Sequence, residues 1–272
     1  MKSLPGPVLA WIGALWVALL PVGSFARDEG ADGHFTHRRS SHFVLYQDVD
    51  IDQYSGPHGS RRFEKDVLKV LESAFDRAAE VLGVRPSRPI DVVVYDPTAF
   101  DTQFSSLFGF RAAGFYHGVI RIRGDAQVST DLVRTLNHEY VHAALDATAP
   151  QVRFPAWLNE GLAEWFEGMS IGKRHLSRGE MLHLRSARQS GQLPAIASLN
   201  GTSFSRMKPD QARLAYLKSY AFIEYLVRTY GRPTLRRFLA GVIRTGNVDR
   251  SMQRTYRKTP QQLEATFDQE LA

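Results

Sequence analysis

The chain has 272 residues, with 34 Lys and Arg against 28 Asp and Glu, a formal net charge of +6, and no cysteine. Without cysteine it is neither a disulfide-stapled domain nor a bacterial lipoprotein. Its basic and aromatic residues form no nucleic-acid-binding motif, so no nucleic-acid partner is expected. The basic excess suits anionic surroundings such as cell-wall polymers or phospholipid headgroups, or serves solubility alone.

Lys2 precedes an apolar run from Val8 to Leu20, and Ser24 and Ala26 place small residues at −3 and −1 of a cleavage site. The run is short for a membrane span. Residues 1–26 are therefore expected to be a signal peptide, leaving a periplasmic or secreted protein with no stable membrane span. An uncleaved N-terminal anchor is the alternative. Residues 27–41 are polar and read as a flexible lead-in, with His34 and His37 exposed. Residues 42–272 read as one domain, with a sheet lobe over 42–146 and a helical lobe over 147–272.

Along this domain, His42 to Asp48 reads as a strand. Ser60 to Leu82 reads as a long amphipathic helix closed by Gly83, and Pro89 to Tyr95 as a buried strand. Asp96-Pro97 opens a short helix through Phe104. Phe115 to Arg123 holds one or two strands with a turn at His117-Gly118, and Val119 to Arg123 alternates as an edge strand does. On that strand Arg121 and Arg123 share a face, at the rim of a cleft or as charged gatekeepers of an exposed edge.

Next comes His138-Glu139-Tyr140-Val141-His142, the zinc-hydrolase pattern H-E-x-x-H when it lies on a helix. On a helix, residues i and i+4 project from one face, so both imidazoles reach one ion. Ser129, Thr130 and Asp131 offer an N-cap and an acidic first turn. Leu132, Val133, Leu136, Tyr140 and Ala144 fall on one apolar arc, with His138 and His142 beside it. The spacing predicts a helix from Val128 to about Asp146.

Pro155 to Glu164 (P-A-W-L-N-E-G-L-A-E) reads as a second helix with Pro in its first turn. A short loop allows an antiparallel return, and Glu160 then supplies a third ligand. Two imidazoles and a carboxylate leave zinc an open position for water. Glu164, one turn on, is placed to accept the other ring N–H of a ligand histidine.

The combination of His138-Glu139-x-x-His142 with Trp157-Leu158-Asn159-Glu160-Gly161-Leu162-Ala163-Glu164 resembles the gluzincin metallopeptidases, the thermolysin-like and aminopeptidase-like group, and within it the small bacterial peptidase MA-like domain. The resemblance covers about residues 40 to 270. It implies an α+β zincin fold of thermolysin type, with a small mixed sheet followed by a mostly helical C-terminal lobe. It further implies one Zn²⁺ held by His138, His142 and Glu160, Glu139 as general base, and a peptide or protein substrate. The helix from about Ala212 to Tyr230 resembles the one that carries the oxyanion-stabilising tyrosine of aminopeptidase-like members, where Tyr216 is the match and Tyr220 the rival. The glutamate that holds a free amino terminus in those aminopeptidases has no counterpart in Ala112 to Gly118, so endopeptidase action or a narrow dedicated substrate is expected. Two other readings are a catalytically silent zinc-binding envelope protein and a hydrolase of a non-peptide or cell-wall amide bond. The remaining chain reads as helices over Arg178–Ser190, Pro233–Ile243 and Pro260–Leu271, with a loop-rich connection from Gly191 to Pro209.

Overall fold

The computed structural model describes residues 36–49, 59–107, 112–125, 127–204 and 207–271. The expected signal segment, His34 and most of the expected lead-in lie outside these residues.

Among the described residues five strands form one mixed sheet in the order β1-β2-β3-β5-β4. They are β1 Thr36–Arg39, β2 Phe43–Gln47, β3 Ile90–Tyr95, β4 Gly114–Tyr116 and β5 Ile120–Arg123. The inner strands β2, β3 and β5 are parallel, and the outer β1 and β4 are antiparallel to their neighbours. Parallel neighbours require a crossover. Helix α1 (Gly59–Val81) links β2 to β3, and α2 (Pro97–Phe104) lies between β3 and the β4–β5 pair. Successive strand residues face opposite sides. Val92, Val94, Ile120 and Ile122 enter the main core, while Val93, Tyr95 and Phe115 join Phe100 of α2 in a smaller cluster on the other face.

The rest is helical: α3 (Thr130–Thr148), α4 (Ala156–Ser170), α5 (Arg178–Gln189), α6 (Pro209–Tyr230), α7 (Arg232–Thr245), α8 (Val248–Tyr256) and α9 (Pro260–Glu270). Several of these starts have a side-chain cap of their own. The Ser129 side chain accepts from Leu132 N at α3, Ser177 and Glu180 form a capping box at α5, and Thr259 and Gln262 form another at α9. Helix α1 ends at Gly83, whose φ of 72° allows its N–H to reach Ala78 O. At the far end, the fully buried Lys218 amine of α6 is 2.6 Å from Asp268 Oδ1 and 3.1 Å from Glu264 Oε1, tying α9 to the lobe. This is an α+β protein with a small mixed sheet and a mostly helical body.

Three sequence expectations change. Thr36–Arg39, inside the expected lead-in, is strand β1, because it finds the backbone of β2 to pair with. Strand β5 is interior, between β3 and β4, so it is not the sheet edge. Accordingly Arg123 Nε and Nη2 are bonded to the Asp101 carboxylate at 2.9 and 3.0 Å, and Arg121 lies over the Phe115 ring and donates to His117 O and Val119 O. Neither arginine is a bare rim charge. Finally, Val248–Tyr256 is a helix that the hydrophobic pattern does not announce.

Helices α4 and α6 cross at Gly161, where an added Cβ would lie 2.7 Å from Ser219 O and 2.9 Å from Ile223 Cγ1. The neighbouring backbone cannot yield cheaply, so Gly161→Ala is expected to destabilise the protein by about 1–3 kcal/mol. Thermal or denaturant unfolding checks this, and an unchanged midpoint would refute the tight crossing.

A candidate metal centre between antiparallel helices

Helices α3 and α4 run antiparallel, so earlier residues of one face later residues of the other. His142 is level with Asn159 and Glu160, and His138 with Glu160 and Glu167. His138, Glu139, His142 and Glu160 are each 1% exposed or less. His138 Nε2 and His142 Nε2 each lie 3.5 Å from Glu160 Oε2, too far for a good hydrogen bond. Neither nitrogen has a hydrogen-bond partner, nor does either oxygen of Glu160 or Glu139. Buried polar atoms are rarely left this way.

The other ring nitrogens explain the orientation. His138 Nδ1 is 2.9 Å from Glu167 Oε2, and His142 Nδ1 is 3.0 Å from Asn159 Oδ1. Both partners accept, so each Nδ1 carries a proton, and in the neutral ring each Nε2 presents a lone pair. Two lone pairs and a carboxylate therefore converge. Tetrahedral ligands at zinc distances of about 2.0–2.2 Å stand roughly 3.3–3.6 Å apart, which matches the 3.5 Å separations. The donor set fits one divalent metal ion.

The electrostatics also call for a cation. Burial pushes Glu160 up, but His142 and His138 outweigh it and hold the carboxyl below its usual range. Burial pushes His138 down, yet the carboxylates of Glu160 and Glu167 raise it well above an ordinary histidine. Glu139 makes no hydrogen bond, and burial pushes its carboxyl up to about 7, against the pull of His138 and His142.

The sequence reading gave the ring N–H of a ligand histidine to Glu164. In the structure Glu167 takes that place. Seven residues after Glu160, Glu167 returns to the same face two turns on, level with the Nδ1 side of His138. Its second oxygen is held by Arg134 of α3, with Nε at 2.8 Å and Nη2 on the same atom. Burial pushes Glu167 up, but His138 and Arg134 hold it low and ionised. Glu164 forms no hydrogen bond or ion pair among the described residues, and burial together with the neighbouring Glu167 pushes it up to about 8. Asn159 could have been found from its place beside Glu160, whereas the i+7 spacing of Glu167 makes it a candidate without separating it from Glu164.

The two tyrosines occupy different places on α6. Tyr216 is 3% exposed, with Phe204 packed edge-on at 5.1 Å. Burial, then the carboxylates of Glu160, Glu164 and Glu139, hold its phenol well above the ordinary value. Tyr220 is raised by burial and by Glu180, Glu224 and Glu164, and it lines a neighbouring cavity with Lys173 over its ring. The carboxylates around Tyr216 thus include two members of the metal group. Those around Tyr220 do not. Strand β4, the place of Ala112 to Gly118, is the sheet edge packed against α3 and bears no carboxylate.

Residues 71–271 match the family model of the peptidase MA superfamily. The match covers most of the chain and includes every residue of the metal group. No curated protein matches the chain. The chain belongs to the peptidase MA superfamily, whose members are peptidases acting on peptides or proteins and typically depend on a metal. No helix among the described residues is long and apolar enough to cross a membrane.

Glu167→Gln leaves a single neutral amide oxygen where two carboxylate oxygens serve His138 and Arg134. Glu167→Gln is expected to weaken metal binding about 10–100-fold, read by competition with a chromophoric chelator. Affinity equal to the parent protein would remove Glu167 from the site.

Proposed function

We propose that this member of the peptidase MA superfamily is a zinc-dependent endopeptidase of the gluzincin type, exported by its N-terminal apolar segment. One observation carries the reading: His138 Nε2, His142 Nε2 and Glu160 meet as buried, unpartnered donors, with the unpartnered Glu139 carboxylate beside them. A structural metal scaffold has no use for an acid at that position.

His138, His142 and Glu160 would hold the ion, and bound there it would polarise the scissile carbonyl and acidify water beside it. Glu139 takes a proton from the attacking water as the new C–O bond forms. It returns that proton to the amine as the C–N bond breaks. The base requires a carboxyl poised near neutrality, and burial supplies the upward push. Tyr216 keeps its proton in this setting and can donate it to the oxygen that gains negative charge. Asn159 and Glu167 do no chemistry themselves. They fix the tautomers of His142 and His138. The lack of a carboxylate on β4 supports cleavage inside a chain, because that strand offers no counter-charge for a free amino terminus.

Glu139→Gln is expected to retain the metal and lose turnover by about 10²–10⁴-fold, whereas His142→Ala and Glu160→Ala lose both. Metal analysis beside a fluorogenic peptide panel checks this, and a fully active Glu139→Gln protein would exclude the mechanism. Tyr216→Phe is expected to lower kcat about 10²–10³-fold with little change in KM, and Tyr220→Phe to leave kcat within a few-fold. The reverse ranking would move the oxyanion donor to Tyr220.

A further inference from the structure

One helical turn from the metal group, its two helices α3 and α4 border, with α5 and α6, a cavity of about 280 Å³. Helix α3 contributes Arg134, one turn before His138. Helix α4 contributes Glu164 and Glu167, one and two turns after Glu160, and α6 contributes Tyr220, one turn after Tyr216. A turn rises about 5.4 Å. A side chain on a substrate residue flanking the scissile bond spans that distance.

The charges on its walls are mostly spoken for. Arg134 is bonded to Glu167, Lys173 Nζ is 2.7 Å from Glu180 Oε1, and Arg213 is engaged in an interaction of its own. Glu164 has no hydrogen bond or ion pair among the described residues. Beside it, the face of Tyr220 already receives a cation, with Lys173 Nζ 4.2 Å from the ring centroid. An aromatic face and a nearby carboxylate together make a site for an organic cation. Burial and the neighbouring Glu167 favour the neutral acid of Glu164, and a docking cation would offset both and draw out its carboxylate.

We propose that this cavity is the subsite for a basic side chain of the substrate, lysine or arginine, next to the scissile bond, with Glu164 as its counter-charge and Tyr220 as its aromatic wall. Assigning the cavity to a peptide rests on the peptidase reading, so the test measures binding and does not need turnover.

The zinc-loaded Glu139→Gln protein is titrated calorimetrically with acetylated and amidated alanine hexapeptides. One series carries a single lysine at each position in turn, and the other carries norleucine there. The lysine peptide is expected to bind about tenfold more tightly at one position, the scale of a hydrogen bond to a charged group. Adding Glu164→Gln is expected to bring the ratio to within twofold. Adding Lys173→Met, which removes the resident cation, is expected to widen it, giving a second variant of opposite sign. Equal binding of the two series would overturn the proposal. So would a preference that survives Glu164→Gln, no widening in Lys173→Met, or a preference only for peptides with a free amino terminus. A lysine preference in a protein whose parent cleaves none of these peptides would keep the cationic subsite and remove the peptidase reading.

Discussion

Two imidazole nitrogens, each held 3.5 Å from one carboxylate oxygen in the protein interior, are the constraint on which the rest of this structure depends. Without a positive charge among them, they would be a concentration of unsatisfied buried acceptors. The antiparallel α3–α4 pair brings them together, and the surrounding contacts resist their separation. At Gly161, next to Glu160, the backbone of α6 comes so close that only a hydrogen fits. On the other side of α3, Leu136 and Tyr140 are buried in the main core, and the Tyr140 ring meets Phe43 of β2 edge-on at 5.6 Å. The small sheet thus acts as the floor that stops α3 from rotating its histidines away.

The polar layer behind the ligands follows the same logic. Arg134, Glu167 and His138 form a chain of charge-assisted bonds from α3 to α4 and back. His138 and Glu167 are buried and Arg134 is partly so, and removing one would strand the next. This makes the tautomer of His138 a property of the helix pair and not of the histidine alone. The edge strand is joined to the same helix by the Tyr116 hydroxyl, which donates to Asp146 Oδ2 at 2.7 Å, one turn beyond His142. Movement of β4 and movement of α3 are therefore coupled through a residue that touches no ligand atom.

Chemistry that repeats at helical spacing was legible in the sequence. His138, Glu139 and His142 announce their shared face by number alone. Glu160 follows from the need for a carboxylate on the returning helix. What depends on relative helix placement was not legible. Glu164 and Glu167 are both acids one or two turns past Glu160, and the sequence cannot say which is level with His138. The vertical offset of α4 against α3 decides it, and that offset is a matter of tertiary packing. The edge strand was misassigned for a similar reason: Ile120–Arg123 alternates as an edge strand does, but three residues of β4 suffice to cover it. Helix α8 escaped because only Ser251, Met252 and Tyr256 of its nine residues are buried. Its signals were Gly246 in the left-handed region and the Asn247 cap, not an apolar stripe.

The catalytic proposal and the cavity differ in how the chain encodes them. The metal group draws on two neighbouring helices and one short loop, so its residues must stay in register with each other. The cavity draws on α3, α4, α5 and α6 together, including Glu180 and Lys173, which bind each other and not the metal group. Substitutions at those outer positions change the charge of the cavity without moving His138, His142 or Glu160. In this chain the β4 position carries no carboxylate, and of the described carboxylates lining the cavity Glu164 is the one without a hydrogen bond or ion pair. The counter-charge for a substrate cation then comes from the ligand-bearing helix itself, placed to recognise a side chain within a polypeptide and not its free end.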